Sequence, residues 1–343
     1  MQYDVTIGIP VYQAVDYIGK TMESALNQTF PNIEYLILDD CGDDGSMGVV
    51  EQYAKLHPRG KDLRILHNED NCGVGLCRNR ILDEAKGDYL FFLDSDDIIE
   101  QDTIEKMIKA ARQFDAQVVY GSWEKVDNVY YSSPQQHIYP EMKLLEPDSL
   151  ALYAFKNHST FRISVCNCLM NLIFLRKTRV RFLNTVFWED LAFTYEMVTH
   201  VSCAILLSDV TYHYLCRPGS LSHYTDREKL EKQEILRNVT TIDYLKDKCK
   251  ALRGKRYLPF LCNNLEVSSF YIVCYIIKHA SRIFPSVSDN ELQQYLRHPL
   301  SLSAIVQFSD KKWVNVFFYM LRFLPNRLFV SLIKFIGNMK RVI

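Results

Sequence analysis

The stretch FFLDSDD, Phe91–Asp97, decides how this chain is read. Three carboxylates fall within four positions, at the end of an apolar run (Tyr89–Leu93) with the length and composition of a buried strand. Two uses of such acids compete. They form a solvated turn whose aspartates cap the following helix, or they hold a cation that a ligand needs.

Outward from that run, the same pattern recurs. Apolar runs at Val5–Pro10, Tyr35–Leu38, Leu63–Leu66 and Val118–Tyr120 alternate with helical patterns at Tyr17–Gln28, Met47–His57, Gly75–Ala85 and Thr103–Phe114. Strand alternating with helix predicts βαβ units and a mostly parallel sheet covered on both faces. Right-handed crossovers make this a Rossmann-like, doubly wound α/β domain, whose ligands sit at the carboxyl ends of the strands. Pro10 and Tyr12 end the first strand and Asp39 and Asp40 the second. Asn68 and Asn71 follow the third, and Asp94 to Asp97 end the fourth. Like charges crowded at one edge repel unless a cation or ligand joins them. Asp40, Asp94 and Asp96 are therefore read as a site, and Asp97 and Asp102 as helix caps.

Composition narrows the classes. With 343 residues, 24% charged and 48% hydrophobic, the chain has material for a large core, either as one domain or as a domain with an appendage. Forty basic residues against 41 acidic ones give no sign of a nucleic-acid binder. Ten cysteines run from Cys41 to Cys274 without a C-x-x-C pair, which fits neither zinc spacing nor a disulfide scaffold and points to a reducing, cytoplasmic setting. The first residues show no basic region before an apolar core, so no signal peptide is expected. No uninterrupted apolar run reaches the roughly 20 residues of a spanning helix. From Trp123 to about Ser222 the pattern is less regular, although FWEDLAFTYEMV predicts a helix starting near Glu189 with Leu191, Tyr195 and Val198 facing inward. From about Asp226 the pattern is helical to the end.

A D-x-D step at a strand end, Asp94-Ser95-Asp96, points two carboxylates to one side of an extended backbone. Such hard oxygens suit Mg²⁺ or Mn²⁺, which take their remaining ligands from water and substrate phosphates. D-x-D alone is common in loops; with Asp40 at a neighbouring strand end, it points to a diphosphate bridged through a metal. No GxxxxGK[ST] loop is present, and CGDDGS after the second strand lacks the lysine, which argues against P-loop NTPases. NEDNCGVGLCRNR places Asn71, Gly73, Arg78 and Arg80 at a helix start. Those are either turn glycines and solvated arginines, or a base- or phosphate-binding corner facing the acidic strand ends.

Taken together, IGIPVYQAVDYIGKTMESALNQTF (Ile7–Phe30), Asp39–Asp40, NCGVGLCRN (Asn71–Asn79) and GDYLFFLDSDD (Gly87–Asp97) closely resemble the family-two inverting glycosyltransferases of GT-A fold, of the bacterial surface-polysaccharide type. The resemblance is specific over Val5 to about Tyr120. It continues loosely through WED (Trp188–Asp190) and RPGSLSH (Arg217–His223), and no motif is recognised beyond about Lys229. It implies a GT-A nucleotide-sugar-binding and catalytic domain over 1–225. A helical region over 226–343 would associate with membrane or bind acceptor. It further implies that Pro10 and Tyr12 line the nucleotide base, that Asp40 bonds a uracil ring and that Arg78 sits near the base. Asn71, Gly73 and Ser95 would belong to the same donor site. Asp94 would lie near the ribose, Asp96 would ligate Mn²⁺ or Mg²⁺ on the diphosphate of a nucleotide-sugar donor (a UDP-sugar favoured), and Asp190 would be the catalytic base. Arg217 and His223 would belong to a segment closing over the diphosphate, with His223 a metal ligand. Two departures stand out. DDCGDDGS is one residue longer than the family's usual D-D-G-S-x-D, and CRN replaces the commoner ARN.

Glu189 and Asp190 also suit a helix start, where acids meet the positive end of the dipole. His213, between Tyr212 and Tyr214, reads as packed in a strand. A nucleotidyltransferase would share the acidic sheet edge but wants a glycine-rich basic loop after the first strand, and PVYQAVDY is not one. A non-catalytic membrane scaffold of the same fold is free to lose its acids, yet here every expected position is filled. The ending WVNVFFYMLRFLPNRLFVSLIKFIGNMKRVI carries Arg322, Arg327, Lys334, Lys340 and Arg341 among aromatics. It packs as a helical pair or lies peripherally on the inner face of the membrane against anionic headgroups. The second use suits the glycan or lipid-linked glycan acceptor that the resemblance implies.

Overall fold

The computed structural model describes residues 3–127, 135–161, 164–185, 188–216 and 229–342. The chain divides into two compact units. One is Met1–Leu150 with Ile163–Asn184 and Glu196–Ser220; the other is Ala151–Arg162 with Thr185–Tyr195 and Leu221–Ile343.

The first unit opens with four parallel strands, β1 (Tyr3–Val11), β2 (Ile33–Asp39), β3 (Leu63–His67) and β4 (Gly87–Phe92), ordered β3-β2-β1-β4. Helices α1 (Ile18–Leu26), α2 (Ser46–Leu56) and α3 (Val74–Glu84) connect them. Ile7, Ile9, Leu36, Ile37, Leu90 and Phe91 are fully buried. That two-sided burial is why β1, β2 and β4 read as continuous apolar runs rather than as alternation, while the edge strand β3 is half-buried. At Gly8, a β-carbon would come within 2.4 Å of Ile81 Cγ2, so α3 packs directly on the backbone of β1. The observed bounds of these elements lie within a few residues of those expected from periodicity.

Past β4 the sheet becomes mixed. The next elements are β5 (Ile98–Ile99), α4 (Thr103–Phe114), β6 (Val118–Asp127), β7 (Gln135–His137), β8 (Met142–Leu144), α5 (Ser149–Lys156), β9 (Cys168–Asn171), α6 (Leu172–Thr178), α7 (Glu189–Val198) and β10 (Ala204–Cys216). The sheet continues β4-β9-β6-β10-β5. Strand β9 is antiparallel to both β4 and β6, whereas β6 and β10 are parallel. An antiparallel strand thus sits between the two parallel sets, which the local pattern did not reveal. Leu191, Tyr195 and Val198 of α7 are buried, as its spacing predicts.

The second unit holds most of α5 and α7, then β11 (Leu230–Glu231), α8 (Lys232–Lys248), α9 (Leu258–Lys278), β12 (Ile283–Phe284), α10 (Asp289–Tyr295), α11 (Leu302–Ile305), α12 (Lys312–Leu321) and α13 (Asn326–Met339). Helix α9 is long and apolar enough to cross a membrane, a length the sequence reading did not anticipate. However, 67% of its most apolar stretch is buried inside the protein. Its Glu266 is fully buried and paired with Lys246 of α8 at 3.0 Å. Burial pushes that carboxyl up to about 7, against the opposing pull of Lys246. A charge buried in this way is tolerated only with a partner, which marks α9 as a core helix of this unit. Helices α12 and α13 turn Phe318, Leu321, Phe329 and Ile333 inward, yet leave Trp313, Leu328, Phe335 and Met339 exposed, with Phe323 exposed between them. Residues 311–343 contain Lys311, Lys312, Arg322, Arg327, Lys334, Lys340 and Arg341 but no Asp or Glu.

Candidate functional site

The end of β2 is held by the chain that follows β3. Asp40 Oδ1 accepts from Asn68 Nδ2 at 2.7 Å and from the Cys72 backbone N–H at 2.9 Å; Oδ2 accepts from the Gly73 N–H at 2.9 Å. Gly73 is the N-cap of α3 with φ 85°, in the left-handed region, where glycine carries no β-carbon penalty. Burial pushes the Asp40 carboxyl up. The Cys72 N–H, the Asn68 amide and the Cys72 and Cys77 thiols outweigh it and leave the group below the ordinary carboxylate range. Arg80 Nη1 in turn donates to Asn68 Oδ1 at 2.5 Å and to the His67 carbonyl at 2.7 Å, so Arg80 supports this corner.

The loops after β1 and β2 lie against one another. A β-carbon on Gly42 would stand 3.2 Å from Gln13 N and 3.8 Å from Tyr12 Cα. Asp44 accepts from the Val15 and Ser46 N–H groups at 2.9 and 3.0 Å, and Ser46 Oγ accepts from the Ala14 N–H at 2.9 Å. The lengthened DDCGDDGS loop thus runs through a left-handed Cys41 (φ 62°) and is laced to the loop after β1. Pro10 is buried within β1, and Tyr12 is 43% exposed at the edge.

The end of β4 is organised by charge. Arg78, buried on α3, donates from Nη2 to Asp94 Oδ1 at 2.7 Å, and its guanidinium lies 5.7 Å from the Phe182 ring centroid. Asp94 and Asp96 are half-buried, while Ser95 is buried with its carbonyl accepting from Thr21 Oγ1 at 3.0 Å. Asp97 differs from its neighbours and corrects an expectation. It caps no helix: its carboxylate is fully buried, with Oδ2 accepting from the Tyr212 hydroxyl at 2.5 Å and Oδ1 from the Leu215 N–H at 2.9 Å. Burial, then the charges of Asp94 and Asp96, push it well up. Asp102 does stand at the N-cap position of α4, but its side chain makes no capping bond and pairs with Lys106 at 2.9 Å instead. His213 is a strand residue, its two ring nitrogens each 2.8 Å from Glu124 and Glu100.

Of the remaining expected site residues, Asn71 is exposed in the loop before α3. Asp190 lies half-buried in the first turn of α7, within the second unit. Arg217 and His223 lie outside the described residues. The structure thus joins Asp40 with Gly73, and Asp94 with Arg78. Asn68, Cys72, Phe182 and Tyr212 complete the two corners without having been singled out; only Asn68 carried a signal, as a strand-end residue.

A divalent cation fits the β4 end by donor chemistry. Asp94 and Asp96 offer hard oxygens of the kind Mg²⁺ and Mn²⁺ take, and Arg78 already offsets part of the negative charge. The ligand atoms of Asp40, Cys72 and Cys77 also lie within 4.8 Å of one another. Thiol-rich sites suit softer ions, and the Asp40 oxygens there are already occupied by N–H donors.

Residues 6–178, half of the chain, match the family model described as Glycosyl transferase family 2. The chain is similar to TuaG of Bacillus subtilis (strain 168), with 39% identity over 105 residues that make up 31% of this chain and 40% of TuaG. It is also similar to the glycosyltransferase GlyG of Streptococcus pneumoniae serotype 4, with 26% identity over 223 residues, 63% of this chain and 72% of GlyG. Its fold is that of S. aureus TarS 1-349 in complex with UDP-GlcNAc (TM-score 0.64, 18% identity, 93% of this chain and 90% of that one). The same fold recurs in the mannosyltransferase PcManGT of Pyrobaculum calidifontis in complex with GDP-Man and Mn²⁺ (TM-score 0.53, 15% identity, 94% and 86%).

Proposed function

The chain belongs to glycosyl transferase family 2, and from that premise we propose that it moves a sugar, with inversion, from a UDP-sugar to a glycan or lipid-linked glycan of the cell surface. The observation that carries this reading is the paired acidic edge. Strands β2 and β4 flank β1, and they bring a backbone-locked Asp40 and an Arg78-paired Asp94, with Asp96 beside it, to the same end of the sheet.

Each residue then has a task. Tyr12 and Pro10 form the wall against which the base lies. Asp40 Oδ2 accepts one N–H from Gly73, and a carboxylate oxygen takes two donors, so the second lone pair suits the ring N–H of uracil. Arg78 and Asp94 orient the ribose side. Asp96 would hold the cation, with His223 as a further ligand and Arg217 toward the phosphates; a bound Mn²⁺ or Mg²⁺ would supply Lewis-acid neutralisation of the leaving diphosphate. Asp190 takes the proton from the acceptor hydroxyl. The freed oxygen forms its bond to the anomeric carbon from one face while the carbon–oxygen bond to the diphosphate breaks on the other, and UDP departs with the electron pair. The transition state is oxocarbenium-like, as in glycoside hydrolysis, and a positioned base contributes about 10²–10⁴-fold.

The uridine preference is supported by the UDP-GlcNAc complex of the TarS neighbour, and the metal by the Mn²⁺ in PcManGT, whose GDP-mannose keeps guanosine as the competing donor. The exposed apolar side of α12 and α13, with cations and no acids in residues 311–343, supports peripheral contact with an anionic membrane face. Release of UDP from a panel of UDP-sugars, with and without Mn²⁺, tests the core of this reading. One sugar turned over in a metal-dependent way, and lost in Asp190→Asn, is the expected result. Turnover of GDP-mannose in place of every UDP-sugar would move the donor to guanosine. Unimpaired turnover by Asp190→Asn would remove the base assignment.

A further inference from the structure

The second unit contains a cavity of about 720 Å³, lined among others by Trp188, Tyr271, Tyr275, Lys278, His279 and Arg282, with no Asp or Glu on its wall among the described residues. That volume is typical of a small-molecule site. The donor tasks proposed above for Asp40, Arg78, Asp94 and Asp96 draw on the first unit and leave this cavity without a role. The C-terminal end of α9 accounts for cations at Lys278. It does not account for three large aromatic rings and three basic residues around one hollow.

Trp188 connects this cavity to the proposed chemistry. It lines the hollow and stands two residues before Asp190, at most about 7 Å along the chain. Its φ of 63° puts a bulky side chain in the left-handed region, a conformation that costs about 1–2 kcal/mol and persists only where the surroundings impose it. Asp190 and part of the cavity wall thus belong to one short stretch of chain. Aromatic faces receive the C–H faces of sugar rings, and a guanidinium with an ammonium receives a phosphate. Lys278 Nζ donates to the Val342 carbonyl at 3.3 Å, and Arg282 Nη1 stands 3.3 Å from His279 Nδ1. Burial, then Arg282 and Lys278, hold His279 below its ordinary range. An imidazole so placed gains a proton more readily once an anion enters.

We infer that this cavity is the acceptor subsite and that it takes a glycan carrying a phosphate ester, with the phosphate at Lys278 and Arg282 and a sugar ring on Trp188 or Tyr271. The inference rests on Asp190 being the base of the transfer. Such a phosphate belongs either to a phosphodiester-linked polymer or to the diphosphate of a lipid-linked glycan.

Calorimetry on the full chain tests it with three probes: a glycerol phosphate oligomer, a polyprenyl diphosphate sugar in detergent micelles against empty micelles, and neutral maltotetraose. Wild type is expected to bind one of the phosphate probes at least 10-fold more tightly than maltotetraose, and the preferred probe identifies the source. Lys278→Gln with Arg282→Gln should lose about 10-fold or more of that affinity while the chain stays folded by circular dichroism, and Tyr271→Ala should weaken all sugar-bearing probes. The His279 ring resonances should shift toward the protonated form when the phosphate probe binds. Equal affinity for maltotetraose, or a double variant that binds as wild type does, overturns the inference. UDP–Mn²⁺ binding measured on the same samples separates it from the donor reading. UDP binding without phosphate-glycan binding removes the acceptor subsite alone, and the reverse removes the uridine donor alone.

Discussion

The ends of β2 and β4 carry the same residue type and treat it in opposite ways. At β2, Asp40 is fixed by neutral donors, two backbone N–H groups and an asparagine amide, and its carboxyl is held low. At β4, Asp94 is fixed by a buried arginine, and Asp97 is sealed under Tyr212 with its carboxyl pushed up. Fixed dipoles orient a carboxylate without cancelling its charge, which suits reading a ligand's N–H. At this edge one acid is paired with an arginine, one is half-buried and one is sealed, and Asp94 and Asp96 are the two that solvent reaches. The contrast separates positioning from charge supply, and substitutions along both ends test that division.

The largest effect is expected at Asp96. Asp96→Ala should lower kcat for donor turnover by about 10²–10³-fold while moving unfolding free energy by less than about 0.5 kcal/mol. A variant that melts early instead would make Asp96 a structural acid like its neighbour. Asp97 should behave in the reverse sense. Asp97→Ala strands the Tyr212 hydroxyl and the Leu215 N–H in the interior and should cost about 3 kcal/mol in urea unfolding, whereas Asp97→Asn, which keeps an accepting oxygen, should cost about 1 kcal/mol. Equal costs for the two would show that volume, not hydrogen bonding, holds this corner.

Asp40→Asn comes next, at about 1–2 kcal/mol with donor KM raised about 10-fold, because an amide nitrogen then faces the Cys72 or Gly73 N–H. Its pH dependence has a definite sign. The native carboxyl lies below its ordinary value of 3.8, so its stabilisation is full above that pH and is lost as pH falls through the native value. The gap between wild type and Asp40→Asn should therefore close in acid; a gap that widens would reverse the assignment. Gly73→Ala comes last, at about 1 kcal/mol or more because φ 85° with ψ 157° is a region essentially reserved to glycine, with a matching rise in donor KM if the Gly73 N–H orients Asp40.

Much of this layout was legible in the chain itself. The alternation of short apolar runs with helical periods located β1–β4 and α1–α4 because burial on both faces of a parallel sheet leaves a local signature. Asp40 and Asp94 to Asp97 appeared at strand ends for the same reason. The misreadings share one cause, which is sequence separation. Asp97 looked like a helix cap because nothing near it announces Tyr212, 115 positions away. The antiparallel β9 between β4 and β6, and the lining of the cavity from Trp188 to Val342, likewise depend on pairings that no local period encodes. Helix α9 escaped for another reason. Its Asn263, Asn264 and Glu266 interrupt the apolar run in sequence, yet inside the unit Asn264 donates to the Phe155 carbonyl and Glu266 is ion-paired with Lys246.

The Tyr212–Asp97 bond also bears on how relatives of this chain should be compared. An acid sealed in the interior against a tyrosine hydroxyl and a backbone N–H resists replacement as strongly as an acid that touches substrate, but for the sake of the fold. Ranked by invariance, Asp97 would stand beside Asp94 and Asp96, and a folding constraint would be mistaken for a reactive one. The distinguishing mark is correlated change: where the tyrosine equivalent to Tyr212 becomes phenylalanine, the acid equivalent to Asp97 should disappear with it, while Asp94 and Asp96 remain.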